Sequence, residues 1–298
     1  MSGGILPRAR HRRSLARRRP TAFVATLALV LGVVAAAGFT APAANAKVVG
    51  ATTTQLVASP PSSTFGHSVT FTATVTPVSP AIGVPTGNVT FKVDGVQVST
   101  RTLSGGTASI ATTSLAGGAH TISAGYSGDA DFNASLASIN YTVGCGTTIT
   151  GAHGVVITSP GSTTCLNHAT ISGSVTVSSG AAIDIEKSTV TGSLTAASTP
   201  GQIRICGSTF GGSVTVANAQ ALVVIGDPGE GCAANVIHGT LLLQNNTHGV
   251  RAVGNLVGNL VATNNSGPGA YPGDPTLISS HVPPTRSTTR TPCCSTRR

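Results

Sequence analysis

Asp184 and Glu186 stand two apart in Ile183-Asp184-Ile185-Glu186, and a pair of carboxylates is what acid–base hydrolysis of a glycoside uses. Alternation puts both on one side of an extended segment, but the counterpart segment 20 residues on offers Arg204 rather than a third acid. The pair therefore reads as a solvated charged face. The remaining acids of this half, Asp227, Glu230 and Asp274, are scattered. His153 and His238 each precede a glycine of one recurring pattern, yet they are four repeat units apart, roughly 19 Å at strand spacing, too far to share a metal. His168 and His248 share no register with them. Asp129 and Asp131 carry the oxygens that calcium takes, but no third acid is close, and they read as turn residues. Gly226–Gly231 has neither the lysine nor the following helix of a phosphate loop, and no Gly-x-Ser-x-Gly elbow stands between a strand and a helix. No catalytic residue, no cofactor and no metal site is expected.

What is left is sulfur and hydroxyl chemistry, and its meaning depends on the elements that carry it. With 37 Gly, 17 Pro, no Trp, one Met and 8% charged residues, the chain is poor in helix formers and rich in Thr, Val, Ser and Ala, so short strands and tight turns are expected. Beyond Gly144 a unit recurs: Gly173-Ser174-Val175-Thr176-Val177, Gly192-Ser193-Leu194-Thr195-Ala196, Gly212-Ser213-Val214-Thr215-Val216, Gly239-Thr240-Leu241-Leu242-Leu243 and Gly258-Asn259-Leu260-Val261-Ala262, with Gly154-Val155-Val156-Ile157 as a degenerate first copy. The glycines are spaced 19, 19, 20, 27 and 19, and Ile171, Val190, Phe210, Ile237 and Leu256 precede the last five by two. A unit this small buries no core alone, so the units stack: a parallel β-helix of about six coils over 145–265, a rod of roughly 30 Å. Asn245-Asn246 and Asn264-Asn265 suit stacked corner amides. The 27-residue unit carries a loop from Asp227 to Ala233.

The register gives the cysteines partners. Cys145 and Cys165 are 20 apart, Cys206 and Cys232 are 26 apart, and each pair is expected at nearly equivalent positions on adjacent rungs, within disulfide reach. Stacking also turns Ser174, Ser193, Ser213 and Thr240, and Thr176, Thr195 and Thr215, into hydroxyl rows that a repetitive ligand such as polysaccharide or ice would meet.

Between 47 and 144 the alternation is apolar and polar, as in Val69-Thr70-Phe71-Thr72-Ala73-Thr74-Val75, and about seven short strands are expected, with Phe65, Phe71, Phe91 and Tyr141 as large core members. Pro85-Thr86-Gly87-Asn88-Val89-Thr90-Phe91, Leu115–Ile122 with Gly118 and His120, and Tyr126-Ser127-Gly128-Asp129-Ala130-Asp131-Phe132 together resemble the bacterial Ig-like repeat domain. The resemblance implies an immunoglobulin-like sandwich on an exported or surface protein, here in one copy. The joining of such a domain to Gly-Ser-Val-Thr-Val coils resembles secreted bacterial proteins, a likeness that carries no chemistry.

The formal charge of +9 is an affair of the ends. Seven arginines lie in residues 8–19 and four in 286–298, while Lys47 to Asp274 holds 6 basic and 8 acidic residues, which argues against nucleic-acid binding. The N-terminal arginines precede an apolar run, Thr21 to Phe39, and Ala44-Asn45-Ala46, so residues 1–46 read as a signal peptide cleaved between Ala46 and Lys47. The same run is long enough for an uncleaved anchor. Residues 266–298, rich in Pro, Thr, Ser and Arg and carrying Cys293-Cys294, read as a disordered tail. The whole reads as a non-enzymatic, exported surface module of structural or adhesion type, free of the membrane after cleavage, with cell-envelope polysaccharide or other surface proteins as partners. A carbohydrate- or ice-binding surface and a polysaccharide-active enzyme are the alternatives.

Overall fold

The computed structural model describes residues 48–268 and 276–281, so the expected cleavage residues Ala46 and Lys47, and also Asp274, Cys293 and Cys294, lie outside the described residues. Strand alternation begins at Thr52 and yields β1 (Thr52–Ser59), β2 (Ser63–Thr64), β3 (Val69–Pro77), β4 (Asn88–Val93), β5 (Val96–Thr102), β6 (Thr107–Thr112), β7 (Gly118–Tyr126) and β8 (Ser135–Gly144). They form two sheets, β1-β3-β6 and β2-β8-β7-β4-β5. The strand beyond the expected seven is the two-residue β2, which runs parallel to the end of β8. Val69, Phe71, Ala73 and Val75 of β3 point inward while Thr70, Thr72 and Thr74 point outward, the period-2 pattern of a half-buried strand. Phe65, Phe71, Phe91 and Tyr141 are all buried. The rings of Phe71 and Tyr141 meet edge to face, centroids 5.2 Å apart, the arrangement that aromatic quadrupoles favour. Asp94 (φ 50°) and Gly95 (φ 85°) close β4 on β5 with two left-handed residues, which matches the twist of the paired strands.

From Thr147 the chain winds into parallel coils of three faces. The first face stacks Leu166, Ile185, Ile205, Ile225, Ala252 and Ile278 inward. The second stacks Ile171, Val190, Phe210, Ile237 and Val257. The third stacks Val156, Val175, Leu194, Val214, Leu241 and Leu260, one per coil for six coils. The interior is thus a column of aliphatics and one phenylalanine, and each coil buries its face only because the next one covers it. Among the described residues, no helix is long and apolar enough to cross a membrane.

The corners explain the polar residues of the repeat. Between the second and third faces, Ser174 Oγ accepts the amide of Ser193 (3.2 Å), Ser193 Oγ that of Ser213 (3.0 Å) and Ser213 Oγ that of Thr240 (3.0 Å). The preceding glycine is required there, because a Cβ on Gly192 or Gly212 would strike the serine Oγ and glycine carbonyl of the coil before. Between the first and second faces, the amides of Ala169, Ser188, Ser208 and Asn235 donate in turn to Ser188, Ser208, Asn235 and Asn255. Between the third and first, Asn246 accepts from Ala219 and donates to Val216 O and Asn265 Oδ1, while Asn245 and Asn264 form an outer amide ladder at φ 54°. At these corners side chains satisfy backbone groups that a turn would otherwise leave buried and unpaired.

Three expectations need correction. Leu256 is exposed and Val257 takes its place in the core stack, because the corner before Gly258 is one residue shorter and the register shifts there. The coil does not stop at Asn265: Leu277–His281, assigned to the tail by composition, pairs in parallel with the strand Val250–Thr263. Ile278 packs on the core and Ser280 Oγ accepts from Asn255 Nδ2, so the segment supplies the pairing that the last edge lacks. The cysteines pair as expected, Cys145 with Cys165 (Cα–Cα 6.0 Å) and Cys206 with Cys232 (5.0 Å), but not from equivalent positions. The residue beneath Cys165 is Thr148, three after Cys145, and Cys232 reaches in from the loop of the long coil, where Asp227 bridges to it around a short 3-10 turn, Pro228–Glu230.

Candidate functional site

The first face of the solenoid is covered by the sandwich. Ala182, Cys206, Leu222, Val224 and Cys232 belong to the same hydrophobic cluster as Phe65, Phe91 and Leu115. Gln202, buried, donates to Thr113 O (2.6 Å), and Gly231 of the long-coil loop lies against Val96. This placement overturns the reading of Asp184 and Glu186 as a solvated face. Asp184 Oδ2 accepts the Gly117 amide (2.7 Å) and Oδ1 lies 3.1 Å from Arg204 Nη1, which also reaches Glu186 Oε1 at 2.5 Å. Asp184 and Arg204 are both buried. Burial pushes the Asp184 carboxyl up from the ordinary carboxylate range, against the pull of Arg204 and the Gly117 amide. Burial alone would lower the Arg204 pKa, but the two carboxylates outweigh it and hold the guanidinium protonated. Two levels along the axis from Arg204, Arg251 Nε pairs with the buried Asp227. Three of the acids of the coils are thus bound to arginines. A cleft of about 180 Å³ remains at this join, lined by Gly117, Thr148, the Cys145–Cys165 sulfurs, Asn167, Asp184 and Glu186.

At the far end of the sandwich, Asp129 Oδ2 accepts the amide and hydroxyl of Thr86 (2.8 and 2.6 Å), while Oδ1 accepts the amides of Asp131 and Phe132 (both 2.8 Å). Four donors hold the carboxyl well below its ordinary range, with the Thr86 hydroxyl the largest cause. The neighbouring Tyr126 phenol is pushed up to about 12, mainly by burial. His120 bridges Asp94 Oδ2 (2.7 Å) and the Ala116 carbonyl (2.9 Å). The Thr86, His120 and Asp129 segments are therefore structural ties between strands. Residues 56–144 match the family model of the bacterial Ig-like domain, group 3. No curated protein and no solved structure matches the chain.

Outside the Ig-like domain's footprint, the two remaining solenoid faces are open, and their hydroxyls divide. Ser174, Ser193, Ser213 and Thr240 form a row, but a half-buried one, and the serine hydroxyls are engaged by the next coil's amides; they are corner ties rather than a binding row. Thr176, Thr195 and Thr215 do stack outward on the third face, the first two exposed and the third half-buried. Sequence reading missed a second outward column on the second face, Thr170, Thr189 and Thr209. Its signal was present as the polar residue before each of Ile171, Val190 and Phe210. The two columns flank the glycine corner and climb with the coil, about 4.8 Å per step. His153, His168, His238 and His248 are exposed and separate, and among the described residues no three His, Cys, Asp or Glu side chains converge as metal ligands would.

Proposed function

We propose that the chain is a non-enzymatic module exported to the surface or surroundings of a bacterium, where the Ig-like domain braces the solenoid and leaves two faces for display or adhesion. The observation that carries this reading is the shared core: Ala182, Cys206, Leu222, Val224 and Cys232 fuse the two parts into one body, with both disulfides beside the join. Paired cysteines suit an oxidising compartment. Asp184, Glu186 and Asp227 serve as partners of Arg204 and Arg251, which supports structure over acid–base chemistry. The partners this reading favours are cell-envelope polysaccharide and other surface proteins, without nucleic acid or cofactor. The test is to produce the full chain in a bacterial host, fractionate the cells and shave intact cells with protease. Recovery from the wall or medium with both disulfides formed is expected; retention in the cytoplasm with free thiols overturns the reading.

The twin columns Thr170, Thr189, Thr209 and Thr176, Thr195, Thr215 favour one second reading, a binding surface for a repetitive ligand such as polysaccharide or ice. Pull-down on polysaccharide fractions and an ice-recrystallisation assay, each with Thr→Val variants of both columns, test it.

A further inference from the structure

The first coil ends the solenoid with β9 (Thr147–His153) and β10 (Val156–Ile157), and among the described residues each pairs with a strand on one side only. The amides of Val156 and Thr158 donate into the second coil, to Ser174 O and Thr176 O. The backbone groups of Val155 and Ile157, which alternate with these, therefore point out of the end. Their side chains are 66% and 70% exposed. Proteins ordinarily guard such an edge with charge, proline or a covering segment. Residues 147–159 contain no Asp, Glu, Lys, Arg or Pro, and Ala152, His153, Val155 and Ile157 are exposed on the two faces that the Ig-like domain leaves free. Along the third face the outward column is threonine in the middle, Thr176, Thr195 and Thr215, and turns to isoleucine at this end.

We propose that this first coil is the contact surface for a second copy of the chain, the two copies meeting end to end about a two-fold axis. An end without charge does not repel its own copy, and its free amides and carbonyls are satisfied by the same groups of a partner strand. The two ends of the solenoid differ in shape. At the first coil all three faces begin at one level, whereas at the last, among the described residues, Leu277–His281 adds a strand over the first and second faces and leaves Asn259–Thr263 of the third one step lower. A level end seats on a level end and not on a stepped one. A contact about a two-fold axis uses the same surface of both copies, so it closes at two instead of propagating into a fibre.

Light scattering of the full chain across micromolar concentrations is expected to give twice the chain mass at the upper end. Ile157→Lys and, separately, Val155→Lys place charge on an exposed position, so the circular dichroism spectrum should hold while the mass falls to that of one chain. Val261→Lys, at the other end, should leave the dimer intact. A single-chain mass for the unmodified protein throughout, a dimer that survives both first-coil charges, or oligomers longer than two that Val261→Lys disrupts would each overturn the proposal.

Discussion

The amide of Gly117, in the Ig-like domain, donates a 2.7 Å hydrogen bond to Oδ2 of Asp184, on the covered face of the solenoid. A Cβ on Gly117 would collide with the sulfurs of Cys145 and Cys165. One glycine thus meets the linker disulfide and the buried ion pair at once, and the join has no room for a side chain there.

Arg204 is the cation that keeps Asp184 tolerable at this join. Arg204→Met should destabilise the protein by about 3–5 kcal/mol, because it leaves a buried carboxylate uncompensated. The double variant Asp184→Leu with Arg204→Met should regain most of that. Urea denaturation of the three proteins checks the ordering; a double variant no more stable than Arg204→Met would show that the pair itself supplies the stability.

The serine corner makes a second, non-additive case. Gly212→Ala drives a methyl into Ser193 Oγ and should cost about 1–3 kcal/mol, as overpacking does. Adding Ser193→Ala removes the struck atom, so the pair should cost less than the sum of the single changes. Thermal melts of all three variants measure the coupling.

Truncation after Asn265 should lower Tm by several degrees relative to truncation after His281, since each kcal/mol is worth about 2–4 °C at this size. The lost contacts are the pairing of Leu277–Ser279 with Arg251–Val253, the Ile278 packing and the Ser280 bond to Asn255. Equal melting temperatures would show that the strand adds nothing to the last coil.

Asp129 ties stability to acid pH. Its carboxyl is held below the range it has in the unfolded chain, so the unfolded state takes up the proton first as pH falls. The contribution is complete above about pH 4 and is lost progressively below it. Asn at this position keeps only one oxygen for the donors, so Asp129→Asn should be less stable near neutrality and should lose less between pH 5 and 2. Parallel melting curves for both proteins would expose any wrong sign.

Periodicity carried most of the architecture. A recurring Gly-Ser-Val-Thr-Val shows in-and-out placement at once, because side chains alternate on a strand and one face must be dry. It could not show which outward residues another part of the chain covers. Asp184 and Thr176 look alike as polar residues on outward strand positions, yet one lies under the Ig-like domain and the other is exposed, a difference fixed by contacts 67 residues apart such as that with Gly117. The serine row misled for a related reason: Ser193 sits at a turn, where a hydroxyl finds a neighbouring amide before it finds solvent. Leu277–His281 was hidden by the Pro and Thr around it, although its Ile278 falls in register with Ala252.

The disulfide between Cys145 and Cys165 fastens the solenoid at its beginning, whereas among the described residues the strand Leu277–His281 at the other end is held by backbone pairing, the packing of Ile278 and the hydrogen bonds of Ser280, with no covalent tie. In a stack whose coils touch only their neighbours, opening proceeds from whichever end is loose. Amide hydrogen exchange should therefore be graded along the axis, quickest in the strands Val250–Thr263 and Leu277–His281 and slowest where Ile183, Ile203 and Phe210 lie. Such a molecule wears away in one direction, a coil at a time, and the portion clamped to the Ig-like domain is the last to go.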